Sequence, residues 1–244
     1  GARVYISSRK ASACEATATE LTGMGPGECI AIPGDVATDA GCKALANELS
    51  SRESCLHVLV NNSGTSWGEP LESYSEAGWS KCMDLNVAAI FQMTRACLSL
   101  LDASVTSLDD PARVINIGSV SGFLHQPFPT YAYDSSKAAV HSLSRKLAWD
   151  LAKRDGGKKA ITVNVIAPGF VPTTMSAGLS NYTAPGEDPI GSTVPLGRMG
   201  RADDMAGAAL FFASKAGAWC TGAVLPVDGG VLVGPIQVGN SKLY

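Results

Sequence analysis

Six short runs rich in β-branched and apolar residues, Arg3–Ser7, Cys29–Ile32, Leu56–Val60, Arg113–Gly118, Ile161–Ala167 and Ala223–Val227, recur along the chain with helix-forming stretches between them. Strands that alternate with helices are joined by crossovers, and crossovers lay successive strands parallel in one sheet. The runs Val114-Ile115-Asn116-Ile117 and Val163-Asn164-Val165-Ile166 carry apolar residues on both faces. A strand of that kind must be covered on both sides, so the pattern predicts an α/β fold: a doubly wound parallel sheet with helices on both faces. The covering helices are expected near 11–22, 39–50, 76–101, 135–154 and 202–214. In the fourth, Val140, Leu143, Leu147 and Leu151 repeat at helical spacing and are expected to be its core stripe.

With 244 residues, 45% of them apolar, the chain can bury a full core, and a single domain over residues 1–244 is expected. The formal charge of −3 arises from 19 basic and 22 acidic residues with no block of one sign. That leaves no electrostatic footprint for nucleic acid and favours a small-molecule substrate. Seven cysteines, an odd number with no C-x-x-C pair, read as reduced thiols packed as small hydrophobes, which suits the cytoplasm. His57, His125 and His141 fall in no ligand spacing, so they are read as satisfied or surface residues and no metal site is expected. No apolar run approaches the ~20 residues of a membrane span, so no membrane association is expected. The stretch from Gly178 to Gly200, rich in Gly, Pro, Ser and Asn, is long for a loop in a compact domain and is a candidate substrate lid.

Tyr133-Asp134-Ser135-Ser136-Lys137 is the segment with most chemistry in it. On a helix, positions i and i+4 share a face, which puts an ammonium beside a phenol. A free phenol with pKa near ~10 is a poor acid–base group at neutral pH, and a neighbouring cation can lower it by ~1–3 units. The same pair also arises on solvated helices with no chemistry attached. Ser119 ends the run Val-Ile-Asn-Ile-Gly-Ser at the carboxyl edge, where α/β sheets place ligands. Its hydroxyl can hydrogen-bond a substrate carbonyl or simply cap the next turn, with Ser121 as its competitor. Read alone, Asn86 is a helix residue bonded to backbone and Asp35 is the cap of a helix beginning near Thr38. Arg9 and Lys10 read alone are a solvated pair, while Asn62 with Gly64, and Pro168 with Gly169, mark turns.

Taken in order, Asn61-Asn62-Ser63-Gly64 after Val58-Leu59-Val60, then Ser119, then Tyr133 with Lys137, then Pro168-Gly169 resemble the short-chain dehydrogenase/reductase family. The resemblance runs from Arg3 to Val227-Asp228-Gly229-Gly230, nearly the whole chain, and implies a Rossmann-like fold. Asn-Asn-Ser-Gly-Thr-Ser-Trp-Gly and Ile-Gly-Ser-Val-Ser-Gly look most like the branch of 3-oxoacyl carrier-protein reductases, including those of rhamnolipid synthesis. Ser63 stands where the family usually has alanine. The resemblance implies a reductase that converts a ketone to a secondary alcohol. In it Tyr133 is the proton donor, Ser119 the carbonyl orienter, Lys137 the activator of the phenol and a ribose ligand, and Asn86 the anchor of a proton-relay water. Tyr131, with no lysine four positions onward, is the decoy.

Ser8 stands where members that use NAD carry an acid, and Arg9 with Lys10 offers cations to a 2′-phosphate, so the cofactor implied is NADP(H). The resemblance places Asp35 at the adenine edge, and Asn62 with Gly64 where backbone passes close to the cofactor. It places Val171 at the nicotinamide amide and Thr173 at the pyrophosphate. It also implies a homodimer or homotetramer formed through the 135–154 helix, where Trp149 lies off the apolar stripe, and through residues 86–101. Trp67, Phe123, Phe128 and Phe170 are either core aromatics or the lining of a substrate pocket.

One departure stands against the pattern. The family's opening strand and its Gly-rich phosphate loop are not found before Arg3, so the first strand is expected to be absent and the domain N-terminally truncated, by roughly 30 residues of a βαβ unit. Weak NADPH binding is expected of such a chain. The departure supports an alternative, a catalytically silent binding or regulatory protein on the same fold, which the intact Ser119, Tyr133 and Lys137 oppose.

Overall fold

The computed structural model describes residues 1–173, 175 and 193–234. In chain order the main elements are β1 (Arg3–Ile6), α1 (Ala11–Gly23), β2 (Glu28–Ala31), α2 (Asp39–Arg52), β3 (Val58–Asn61), α3 (Glu76–Met83), α4 (Ala89–Ala96), α5 (Leu98–Ser104), β4 (Ala112–Ile117), α6 (Tyr131–Leu151) and β5 (Ile161–Pro168). A helix, α7 (Ala202–Ala213), and a strand, β6 (Val224–Val227), follow. All strand pairings are parallel: β1 with β2, and β3-β4-β5-β6 in that order. The doubly wound Rossmann-like expectation holds. Among the described residues β1 and β3 are not hydrogen-bonded to one another, so the sheet is interrupted between them, as the resemblance implied.

The pleat explains why helices are needed on both faces. On β4 and β5, Ala112, Val114, Ile161 and Val163 turn to one side, where they join Cys42 and Ala46 of α2, Met93 of α4, Leu101 of α5 and Ala148 of α6. Ile115 and Ile166 turn to the other side and pack on Phe212 of α7. Side chains alternate along a strand with period two, so one apolar run supplies two cores. A third cluster of Ile32, Leu49 and Leu100, with Tyr5 and Leu56 against it, ties β1 and β2 to α2 and α5.

Two helices differ from expectation. The single helix expected over 76–101 is α3, a π-helical turn at Asp84–Ala88, α4 and α5, with a break at Cys97. Helix α6 begins at Tyr131 rather than 135, two residues after Pro129, since the residues ahead of Pro127 and Pro129 are biased away from helical backbone. Tyr133 therefore lies inside the helix, not ahead of it. The core stripe of α6 is also displaced. Val140 and Leu151 are buried, but the face against the sheet is otherwise Ser136, Lys137, His141, Ser144 and Ala148, while Leu143 and Leu147 are only half-buried. Periodicity located the leucines and passed over the polar residues, whose burial is allowed by partners on neighbouring elements. Ser136 accepts from Asn86 and Ser144 from Asn116.

Candidate active site

Parallel strands point their carboxyl ends the same way, and the register pairs Asn61 with Asn116, Ile117 with Ile166 and Pro168 with Val227. The segments that follow these strands therefore emerge along one edge of the β3–β6 sheet. They carry Asn62 and Gly64 after β3, Ser119 after β4, and Val171 and Thr173 after β5. Ligands bind at such an edge in open α/β sheets.

Ser119 is buried and opens a short 3-10 turn, Val120–Gly122. Its Oγ accepts from the Ser121 backbone N–H at 3.1 Å and donates to the Ser121 hydroxyl at 3.2 Å, so it does cap the turn. It also faces the Tyr133 phenol, which capping alone would not require. Lys137 is buried one turn along α6 from Tyr133, its Nζ 5.6 Å from the phenol ring centroid, and it donates to the Ile117 carbonyl at 2.9 Å. Burial pulls the Lys137 ammonium down to about 8. Burial pushes the Tyr133 phenol up, and the Ser119 hydroxyl offsets part of that rise while Asp134 and Cys82 add to it. Desolvation is the largest of these influences, and the Lys137 ammonium stands beside the phenol on the same face of α6.

Asn86 sits in the π-helical turn, an insertion often found at functional sites. It is almost fully buried. Its Oδ1 accepts from the Thr65 N–H at 2.8 Å, and its Nδ2 donates to the Thr65 carbonyl at 2.9 Å and the Ser136 hydroxyl at 2.8 Å. Those bonds pin the segment after β3 to α6. A side chain at Gly64 would begin 3.3 Å from Asn86 Oδ1 and 3.8 Å from Lys137 Nζ, so the glycine lets the chain pass close to both. Asn62 is exposed beside it.

Ser8, Arg9 and Lys10 are exposed after β1, and among the described residues neither cation forms an ion pair. Asp35 is exposed, and its carboxylate accepts from the Ala37 N–H at 3.0 Å. The cap of α2 is Thr38, whose hydroxyl accepts from Gly41 N–H at 3.1 Å, so Asp35 shapes the turn before the helix and does not cap it. Val171 is half-buried, with its side chain near Gly200, and Thr173 is exposed. Residue 174 and residues 176–192, with most of the expected lid, lie outside the described residues.

Tyr131 is exposed and packs edge-on against Tyr74 at 5.5 Å. Phe123 is exposed too, and Trp67 is half-buried under the Lys81 ammonium, so neither belongs to the core. Two features escaped the sequence reading. Tyr74, whose hydroxyl accepts the Ala132 N–H, satisfies one of the free donors at the start of α6. His141 is buried with no hydrogen-bond partner for its Nε2 among the described residues, while His57 and His125 are exposed, as read. Neither has a local sequence signal, since each depends on what another element brings to it.

Fold and site together define an oxidoreductase of one class, and a family model described as enoyl-(acyl carrier protein) reductase matches residues 1–232. The chain belongs to the short-chain dehydrogenase/reductase family. It is 47% identical over 230 residues to the rhamnolipids biosynthesis 3-oxoacyl-acyl-carrier-protein reductase of Pseudomonas aeruginosa, covering 94% of this chain and 86% of that protein. It is 31% identical over 235 residues to a 3-oxoacyl-acyl-carrier-protein reductase of Synechocystis, covering 96% and 88%. Among solved structures, the Pseudomonas aeruginosa RhlG/NADP active-site complex superposes with a TM-score of 0.85 at 46% identity, over 95% of this chain and 87% of that one.

Proposed function

We propose that this protein reduces a ketone of the 3-oxoacyl class to a secondary alcohol with NADPH as reductant. The observation that carries the reading is the convergence of Ser119, Tyr133 and Lys137 at the carboxyl end of β4, with the Ser119 hydroxyl facing the phenol. Ser119 orients the carbonyl by a hydrogen bond, and Tyr133 gives its phenolic proton to the carbonyl oxygen as that oxygen gains charge. Lys137, held against the Ile117 carbonyl, supplies positive charge behind the phenol and a donor for a ribose hydroxyl. Asn86 keeps the 62–65 segment fixed on α6 and anchors the relay that returns a proton to Tyr133.

The bound dinucleotide supplies hydride to the carbonyl carbon. The exposed residues at the strand ends fit such a group. Arg9 and Lys10, without an ion pair among the described residues, would present cations to a 2′-phosphate, and Ser8 brings no acid to repel it. Asp35 would meet the adenine edge, Asn62 and Gly64 would leave a close backbone path, and Val171 and Thr173 would hold the nicotinamide amide and the pyrophosphate. The silent-protein alternative is not favoured, because Ser119, Tyr133, Lys137 and Asn86 are all in place and the similar proteins are reductases. Location in the cytoplasm and assembly as a homodimer or homotetramer complete the proposal. No helix among the described residues is long and apolar enough to cross a membrane.

The test is NADPH oxidation with a 3-oxoacyl thioester. Removal of the acid in Tyr133→Phe is expected to cut kcat by about 10²–10⁴-fold, the range for a general acid, with NADPH affinity nearly unchanged. Turnover close to wild type in that variant refutes the assignment.

A further inference from the structure

His141 lies one turn beyond Lys137 on α6, 2% exposed, with no hydrogen-bond partner for its Nε2 among the described residues. The turn that carries Ser119 wraps around its ring. A methyl group at Gly118 would lie 2.6 Å from Nε2, and one at Gly122 would lie 2.4 Å from Cε1 and 2.8 Å from the Lys137 carbonyl. Backbone on either side of Ser119 therefore rests directly on the imidazole. Phe123, just past the turn, closes over the ring with centroids 4.7 Å apart.

We infer that His141 is a positioning residue for the reaction: the volume of its ring sets the spacing between the Ser119 turn and the helix that carries Tyr133 and Lys137. The inference rests on the roles proposed for those three residues. Protein interiors are close-packed, so the gap left by a missing ring is only partly filled by collapse of its surroundings. The element free to move into that gap is the turn, since its two glycines have no side chains of their own to fill it. Shape, not proton transfer, is what the ring provides. Nε2 lies against Gly118 with no hydrogen-bond partner among the described residues, and burial keeps the imidazole neutral, its pKa pulled down to about 4.

The experiment compares His141→Leu, close in volume but without nitrogens, with His141→Ala, Ser119→Ala and the Ser119→Ala/His141→Ala double variant. Each is assayed for kcat on a 3-oxoacyl thioester, for NADPH affinity by fluorescence titration, and for Tm. His141→Leu is expected to hold kcat within about threefold, as volume-conserving core changes are well tolerated. His141→Ala is expected to lose on the order of 10–100-fold in kcat with NADPH affinity unchanged, since misplacing a group by ~1 Å can cost that much. The double variant should be no slower than Ser119→Ala, because both changes remove one interaction. A wild-type kcat in His141→Ala, a multiplicative loss in the double variant, or a leucine variant as slow as the alanine one overturns the inference. Should His141→Ala not fold, His141→Val serves, with a loss between those of leucine and alanine expected and a wild-type kcat overturning. Ser119→Ala turning over like wild type would instead refute the site assignment itself.

Discussion

Burial moves the two titrating residues of α6 in opposite senses, raising Tyr133 and lowering Lys137 from 10.5 to about 8. Between about pH 8 and 10 the unfolded chain still holds the lysine proton that the native state has released. By linkage, Lys137 then makes stability rise with pH across this window, and it withdraws that contribution as pH falls through 8. Above the ordinary phenol range Tyr133 acts the other way, because the unfolded phenol ionises first. Urea unfolding of Lys137→Met between pH 8 and 10 should show a flatter rise than wild type, and equal slopes would contradict the burial argument. Arg9, exposed and without an ion pair among the described residues, is the residue expected to read the 2′-phosphate. Arg9→Ala should erode the preference for NADPH over NADH, and added salt should do so in the wild type as the contact is screened. A wild type that favours NADH contradicts the cofactor assignment.

Each element of the site is held by a neighbour, not by its own sequence. The first turn of α6 takes its donor satisfaction from Tyr74, and the segment after β3 takes its position from Asn86 in the π-helical turn. Helix α5 is different, since its role is packing. Leu101 is fully buried among residues of α2, β4 and β5. Leu101→Ala should cost about 2–5 kcal/mol, the range for a large core side chain cut to a methyl. In a domain of this size that lowers Tm by roughly 2–4 °C per kcal/mol, which calorimetry would resolve. A shift of under a degree would show that the α5 face is not part of the core.

At the scale of the whole molecule, indoles are left outside the packing. Trp149 on α6 is 82% exposed and Trp219, after α7, is 99% exposed, with Leu210 and Phe211 of α7 exposed as well. Large exposed apolar groups of this kind mark interaction surfaces. Sedimentation of the wild type at micromolar concentration should show a dimer or tetramer, and Trp149→Glu should shift it toward monomer. A wild-type monomer would remove the assembly proposal.

The alternation of β-branched runs with helical stretches settled the fold class from sequence alone, because strand and helix differ in hydrophobic period and crossovers force parallel pairing. The proximity of Ser119, Tyr133 and Lys137 was likewise legible, since each needs only a strand end or one helical turn for its placement. What sequence could not decide was which polar residues the core would accept. Ser136, Ser144 and His141 occupy the sheet face of α6 because Asn86, Asn116 and the glycines beside Ser119 meet them from other elements. The burial of this pair was equally beyond reach, as spacing places a cation near the phenol but only the packed structure fixes how much water both have lost.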